Sequence, residues 1–210
     1  MFHMKSNFHI IQLFFAFLFG CHKEEVRINT QASEYFPSKV GNRWEYLVTD
    51  STGTAEGVKK YLLQVNIIGS KKVVDGKEAQ IWTYNYPERV DKVFVRIEND
   101  TVKIIDWAPY IDPKAFNFPK TIYLIPFTEN KMYNGNLYNY RVTKADTLKI
   151  SNISYFNSFL VSYHYGGPNI HYNDKIYFKP NIGVIKLDMV HFDSGPIDHQ
   201  TWELKSYTLK

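Results

Sequence analysis

The sequence holds one cysteine in 210 residues. No intramolecular disulfide can form, so any fold must rest on its core. Long apolar runs are also missing. The most apolar stretch, Ile10 to Phe19, is broken by Gln12 and as a helix would cover about 15 Å, half of a hydrocarbon core. That is too short to span a bilayer. No later window shows the apolar spacing of an amphipathic helix. Catalytic signatures are equally scarce: there is no Gly-x-Ser-x-Gly elbow, no Walker loop and no Gly-x-Gly-x-x-Gly turn. Charge of one sign is lacking too. With 25 basic and 21 acidic residues the net charge is +4, and the basic residues form no aromatic-basic stripe, which argues against nucleic acid.

What is present begins at the leader. A short, weakly basic segment with Lys5 precedes the apolar stretch, and a small residue closes it, which is the layout of a secretory signal. Phe14, Phe15, Phe17 and Phe19 make the segment apolar on every side, so it has no polar face to offer solvent as a first helix would. The next residues, Leu18-Phe19-Gly20-Cys21, resemble the lipobox of bacterial lipoproteins. The resemblance implies that the Cys21 thiol is lipidated, that the Gly20–Cys21 bond is cut, and that Cys21 becomes an acylated N-terminus. Phe19 is bulkier than the pattern favours. Each buried methylene contributes about 0.8 kcal/mol, so several acyl chains hold a domain essentially for good. The expected organisation is a signal peptide over 1–20, a polar tether over 21–35 and one domain over 36–210. Loss of Lys5 with the leader lowers the net charge to +3.

After the cysteine come His22-Lys23-Glu24-Glu25. Lys23, Glu24 and Glu25 resemble the export signal that carries some Gram-negative lipoproteins to the outer face of the outer membrane. The implied placement is therefore the outer membrane, lipid-anchored, with the cell surface preferred over the periplasmic face.

Aromatic residues dominate the rest: 15 Phe, 16 Tyr and 4 Trp, 17% of the chain. Most recur every second position, as on strands. Trp44, Tyr46 and Val48 share a face, as do Tyr61, Leu63, Val65 and Ile67, and then Trp82, Tyr84 and Tyr86. Val93, Val95 and Ile97 alternate with Lys92, Arg96 and Glu98. Later runs are Tyr138, Tyr140 and Val142; Leu148 and Ile150; and Phe159, Val161, Tyr163 and Tyr165. Turn residues such as Asp75-Gly76, Asn99-Asp100, Asn134-Gly135 and Gly166-Gly167-Pro168 separate them. The expectation is all-β: an antiparallel meander of about ten or more strands curled into a barrel or half-barrel, with a sandwich as runner-up, preceded by the signal helix. One segment departs from this. Residues 107–120 carry Pro109, Pro113 and Pro119, which deny a ladder strand, yet keep Trp107, Tyr110, Phe116 and Phe118. The segment reads as a loop that plugs an open end of the sheet or meets a partner.

Two stretches resemble uncharacterised envelope lipoproteins. One is an opening Pro-x-x-x-Gly-Asn-x-Trp-x-Tyr, carried by Pro37, Gly41, Asn42, Trp44 and Tyr46. The other is a late strand entry carried by Phe178, Pro180, Ile182, Gly183, Val184, Ile185 and Lys186. Both have local reasons: Gly41-Asn42 suits a positive-φ turn, and Gly183 a bulge or tight bend. The resemblance brings no catalytic residue with it.

The best polar constellation is His191, Asp193, Asp198 and His199. A turn at Ser194-Gly195-Pro196 could return the second pair opposite the first, and two imidazoles with two carboxylates can ligate zinc. Asp and Ser also gather at Gly-Pro turns for backbone bonding, so these four are weak candidates and no cofactor is expected. Asp50-Ser51-Thr52, Asp100-Thr101-Val102 and Asp146-Thr147-Leu148 resemble an acceptor pattern for O-glycosylation of exported proteins. The overall expectation is a non-enzymatic lipoprotein that binds an envelope partner. A half-barrel carrier of lipid or another hydrophobic ligand is the alternative, and a metal-dependent hydrolase comes third. An apolar cavity open to solvent would favour the carrier.

Overall fold

The computed structural model describes residues 30–51, 57–73, 75–99, 101–105, 121–125, 127–134, 139–167, 170–193 and 197–210. The leader, Cys21, the export signal and the 107–120 segment lie outside them. Among the described residues no helix is long and apolar enough to cross a membrane.

Alternation of large apolar and polar side chains builds one antiparallel sheet. After a short helix, α1 (Thr30–Tyr35), come β1 (Arg43–Asp50), β2 (Lys59–Lys72), β3 (Glu78–Asn85), β4 (Val90–Glu98), β5 (Thr101–Ile105) and β6 (Thr121–Leu124). The second half holds β7 (Met132–Asn134), β8 (Asn139–Ile150), β9 (Ile153–Gly167), β10 (Ile170–Lys179), β11 (Gly183–Asp193) and β12 (Asp198–Thr208). The strand order is β6-β5-β4-β3-β2-β1-β12-β11-β10-β9-β8-β7. Every neighbour is thus sequential except one pair: β1 lies against β12, from Arg43↔Thr208 to Asp50↔Gln200. The meander expected from the alternation is present. Two runs read as separate, around Tyr140 and Leu148, are one long strand, β8.

The sheet curls. On a flat sheet β6 and β10 would stand eight spacings, about 38 Å, apart, yet the Tyr123 ring of β6 lies 5.3 Å from Phe178 of β10 and 5.9 Å from Tyr163 of β9. The two outermost strands, β6 and β7, are not paired with each other. This is a half-barrel of one sheet, neither closed nor a sandwich.

The concave side carries the larger core. Trp44, Tyr46, Val48, Leu63, Val65, Ile67 and Val142 are buried there in the alternation expected of them. One end is filled by the start of the described chain. Ala32, Tyr35 and Phe36 are buried, with Tyr35 4.7 Å from Phe127 and Phe36 5.3 Å from Phe178. Ala32 and Tyr35, which fall within the segment read as tether, are packed against the sheet. Two buried apolar side chains one helical turn apart are enough to dock that helix. Glu34 O accepts a hydrogen bond from Asn181 N at 2.6 Å. Gly183 adopts φ +96°, and a Cβ there would meet Pro37 Cδ at 3.4 Å, so the motif glycine serves both a bend and a close approach. Gly41, at φ +92°, turns the chain into β1 as expected.

A second cluster lies on the other side of β4: Val73, Ala79, Phe94 and Ile105. Arg96, expected on a solvent face, is buried at 3% exposure beside it. Its guanidinium forks onto Asp75, Nη1 to Oδ2 at 2.6 Å and Nη2 to Oδ1 at 2.9 Å. The β2–β3 turn folds over this face, and a bidentate carboxylate lets the charge be covered.

Candidate functional site

The inner face of the sheet encloses a cavity of about 710 Å³. Its floor is Tyr35, Phe36, Pro37 and Gly183, and its walls include Trp82, Tyr84, Leu187, Met189 and Trp202. Exposed Val90, at the start of β4, marks where it meets solvent. Such a volume suits a small organic ligand, and ring and alkyl walls are what apolar ligand sites use.

The walls are rigid because their polar tips are tied down. Trp44 stacks on Trp82 with centroids 5.4 Å apart, and its Nε1 donates to Ile182 O at 2.6 Å. Tyr46 OH donates to Val184 O at 2.9 Å. Trp202 Nε1 donates to Gln200 Oε1 at 2.7 Å, and Gln200 Nε2 in turn donates to Asp50 Oδ2 at 2.7 Å. Trp82 Nε1 donates to Gln80 Oε1 at 2.9 Å. Burial pushes the Tyr84 hydroxyl far above its ordinary range and lifts Tyr61 to about 12, the latter helped by the charge of Asp50. Neither phenol ionises near neutrality.

Polar groups interrupt the apolar lining: Asp91 and Lys92 of β4, and a carboxylate–imidazole pair. Asp174 of β10 and His191 of β11 both line the cavity, with His191 Nε2 2.8 Å from Asp174 Oδ1. The Tyr172 ring meets the imidazole edge-on at 4.6 Å. Burial raises the Asp174 carboxyl above its ordinary 3.8, and the neighbouring imidazole only partly offsets this.

The four residues read as a weak metal set are not brought together. His191 lies opposite Asp198 across β11–β12, while His199 lies opposite Val190. Successive residues of a strand face opposite sides, so the two imidazoles point away from one another. His199 pairs with Asp188 at 2.7 Å. The Asp193 side chain lies outside the described residues. Among those described, no group of three or more His, Cys, Asp or Glu could hold a metal ion. His164 and His171, which might have joined, bond Asn173 at 2.7 Å and stack on Phe192 respectively.

Sequence reasoning missed Asp174 altogether. It sits in "YNDKIYF" as an ordinary polar alternation, and only the register Asp174↔Met189 shows that it faces inward. Of the three O-glycosylation-like patterns, Asp146 and Thr147 are exposed on β8, whereas Thr52 and Asp100 lie outside the described residues.

No family model and no curated protein matches the chain. Among solved structures, the chain is similar to one from Bacteroides fragilis described as an exported protein with a YmcC-like fold. The identity is 11%, with 83% of this chain and 98% of that one covered, at a TM-score of 0.45. A Parabacteroides distasonis chain described as a lipoprotein gives 13% identity, 83% and 98% coverage and a TM-score of 0.34. A Vibrio parahaemolyticus domain described as an outer membrane lipoprotein-sorting protein gives 9% identity, 85% and 90% coverage and 0.27.

Proposed function

We propose that this chain is a lipid-anchored envelope protein whose half-barrel binds a hydrophobic ligand without converting it. The observation that carries the reading is the cavity of about 710 Å³, walled by rings and reaching solvent beside Val90. A sheet curled only for stability would fill such a volume with side chains, because voids weaken a core in proportion to their size. Trp44, Trp82, Trp202 and Tyr46, whose donors are already engaged, present mainly ring and alkyl surface. The anchor rests on Leu18-Phe19-Gly20-Cys21, and display on the cell surface rests on Lys23, Glu24 and Glu25. The alternative reading, partner binding through the 107–120 loop, has no comparable observation behind it.

Native mass spectrometry of protein purified from its own membranes tests both parts. The expected chain begins at Cys21 with a diacylglyceryl modification and retains a small hydrophobic molecule under gentle conditions. Leu187→Trp, which fills the cavity from β11, should lose that molecule while keeping the lipid. A chain that begins at Met1 with a free thiol sinks the anchor. An empty wild type that also takes up no added hydrophobic probe sinks the ligand.

A further inference from the structure

The Asp174–His191 pair is a polar feature of the cavity wall with bonding capacity to spare. One oxygen of Asp174 is engaged by His191 Nε2 at 2.8 Å. Among the described residues no other hydrogen bond reaches its carboxylate. Register fixes both side chains on the concave face. Asp174 lies opposite Met189 and His191 opposite Tyr172, and all but Tyr172 line the cavity. Tyr172 braces the imidazole from the side, so the pair is a built element rather than a mobile surface charge.

The cations nearby are outweighed by acids. Arg89 donates to Asp91 Oδ2 at 3.1 Å and lies over the Tyr86 ring at 4.6 Å. Lys92 lines the cavity too, but it is exposed and stands next to Asp91 and the exposed Val90 at the mouth. His191 has its Nε2 committed to Asp174. The acids Asp91 and Asp174 remain on the lining, with Asp198 directly opposite His191. A carboxylate brought here would meet like charge in a poorly hydrated space, where such repulsion is strongest. A donor group would instead supply the hydrogen bond that burial denies Asp174.

We infer that the cavity takes an amphiphile whose polar head donates a hydrogen bond, an amine, hydroxyl or amide, and discriminates against a free carboxylate, with the head held at Asp174 and His191. The inference rests on reading the cavity as a hydrophobic-ligand site, and it names the chemistry of the ligand's head.

Displacement of N-phenyl-1-naphthylamine from the purified protein by decylamine, decanol and decanoate at neutral pH is the test. The two donor heads should displace the probe at roughly tenfold lower concentration than decanoate, a difference of about 1.4 kcal/mol. In Asp174→Asn, whose amide can donate to a carboxylate, that gap should fall to about threefold or less. The wild-type ranking decides by itself, so the inference does not hang on whether the variant folds. Decanoate displacing as well as or better than the others overturns the head-group assignment and leaves the cavity reading standing. Failure of all three, and of the probe itself, to bind removes the cavity reading and the assignment with it.

Discussion

The two clusters on either side of β4 handle burial in opposite ways. On the concave side, aromatic residues from many strands and from the segment after α1 surround a space, and the polar tips of Trp44 and Tyr46 are bonded to backbone carbonyls. On the convex side, Val73, Ala79, Phe94 and Ile105 are closely covered by the β2–β3 turn, and a guanidinium is sealed in with a carboxylate. One region keeps volume and excludes charge from most of its surface. The other keeps a charge among its buried side chains. Large rigid rings can stand apart and leave a void because they cannot collapse into it. Small aliphatic side chains on a hairpin close up, and a bidentate ion pair then fixes the turn that closes them.

The comparison is broken most severely at Phe178, fully buried and in ring contact with Phe36, Tyr123 and Phe127. Phe178→Ala should destabilise by about 4 kcal/mol, because the enlarged void borders rigid rings that cannot move into it. Urea denaturation followed by tryptophan fluorescence measures this. A loss below about 1 kcal/mol would mean that the concave side is as compliant as an ordinary aliphatic core.

A smaller effect sharpens the other side. Asp75→Asn takes the bidentate carboxylate from the covered Arg96 charge, and Glu98, 3.7 Å away, is shared with Lys77 and Lys103. About 2 kcal/mol should be lost, less than for a fully enclosed pair because the Asp75 side chain is 25% exposed. Replacing the cation too, in Asp75→Asn/Arg96→Met, should restore most of it, since an apolar isostere needs no partner there. Equal losses in the single and double variants would deny the pair its role.

The smallest effect opposes two carboxylates by pH. The hydrogen bonds from Arg96 hold Asp75 below its ordinary 3.8, whereas burial lifts Asp174 above it. A depressed folded value contributes stability above the unfolded value and loses it as pH falls through the folded one; a raised value does the reverse. Relative to wild type, Asp75→Asn should therefore be weakest near neutrality and converge on it in strong acid, below the folded value. Asp174→Asn should be relatively most stable near neutrality, by about 0.5 kcal/mol, and lose that advantage in acid. Urea titrations at both pH values decide it, and parallel curves for the two variants would contradict the assignment.

How much of this could be read beforehand depends on what each feature needs. Strand faces such as Trp44-Tyr46-Val48 are visible because the period of two is written into consecutive residues. Gly41 and Gly183 are visible because backbone twist needs them locally. Arg96 and Asp174 are not, because a polar residue in an alternating strand looks the same whether solvent or another turn covers it. Which side is covered depends on pairing with residues 21 positions away for Arg96 and 17 for Asp174. Helix α1 escaped for a related reason: "TQASEY" is too short for periodicity to register, and only its docking against β11 shows it to be part of the domain.

The pairing of β1 with β12 has a geometric corollary. Lys210 N donates to Asn42 Oδ1 at 2.8 Å, so the final residue sits at the same pole as α1 and the entry to β1. Val90 and His191 lie at the far pole, one strand length or about 25 Å away. A molecule leashed through Cys21 would stand on its plugged base with the aperture pointing outward, positioned to load from the surroundings or from a neighbour rather than from the bilayer beneath.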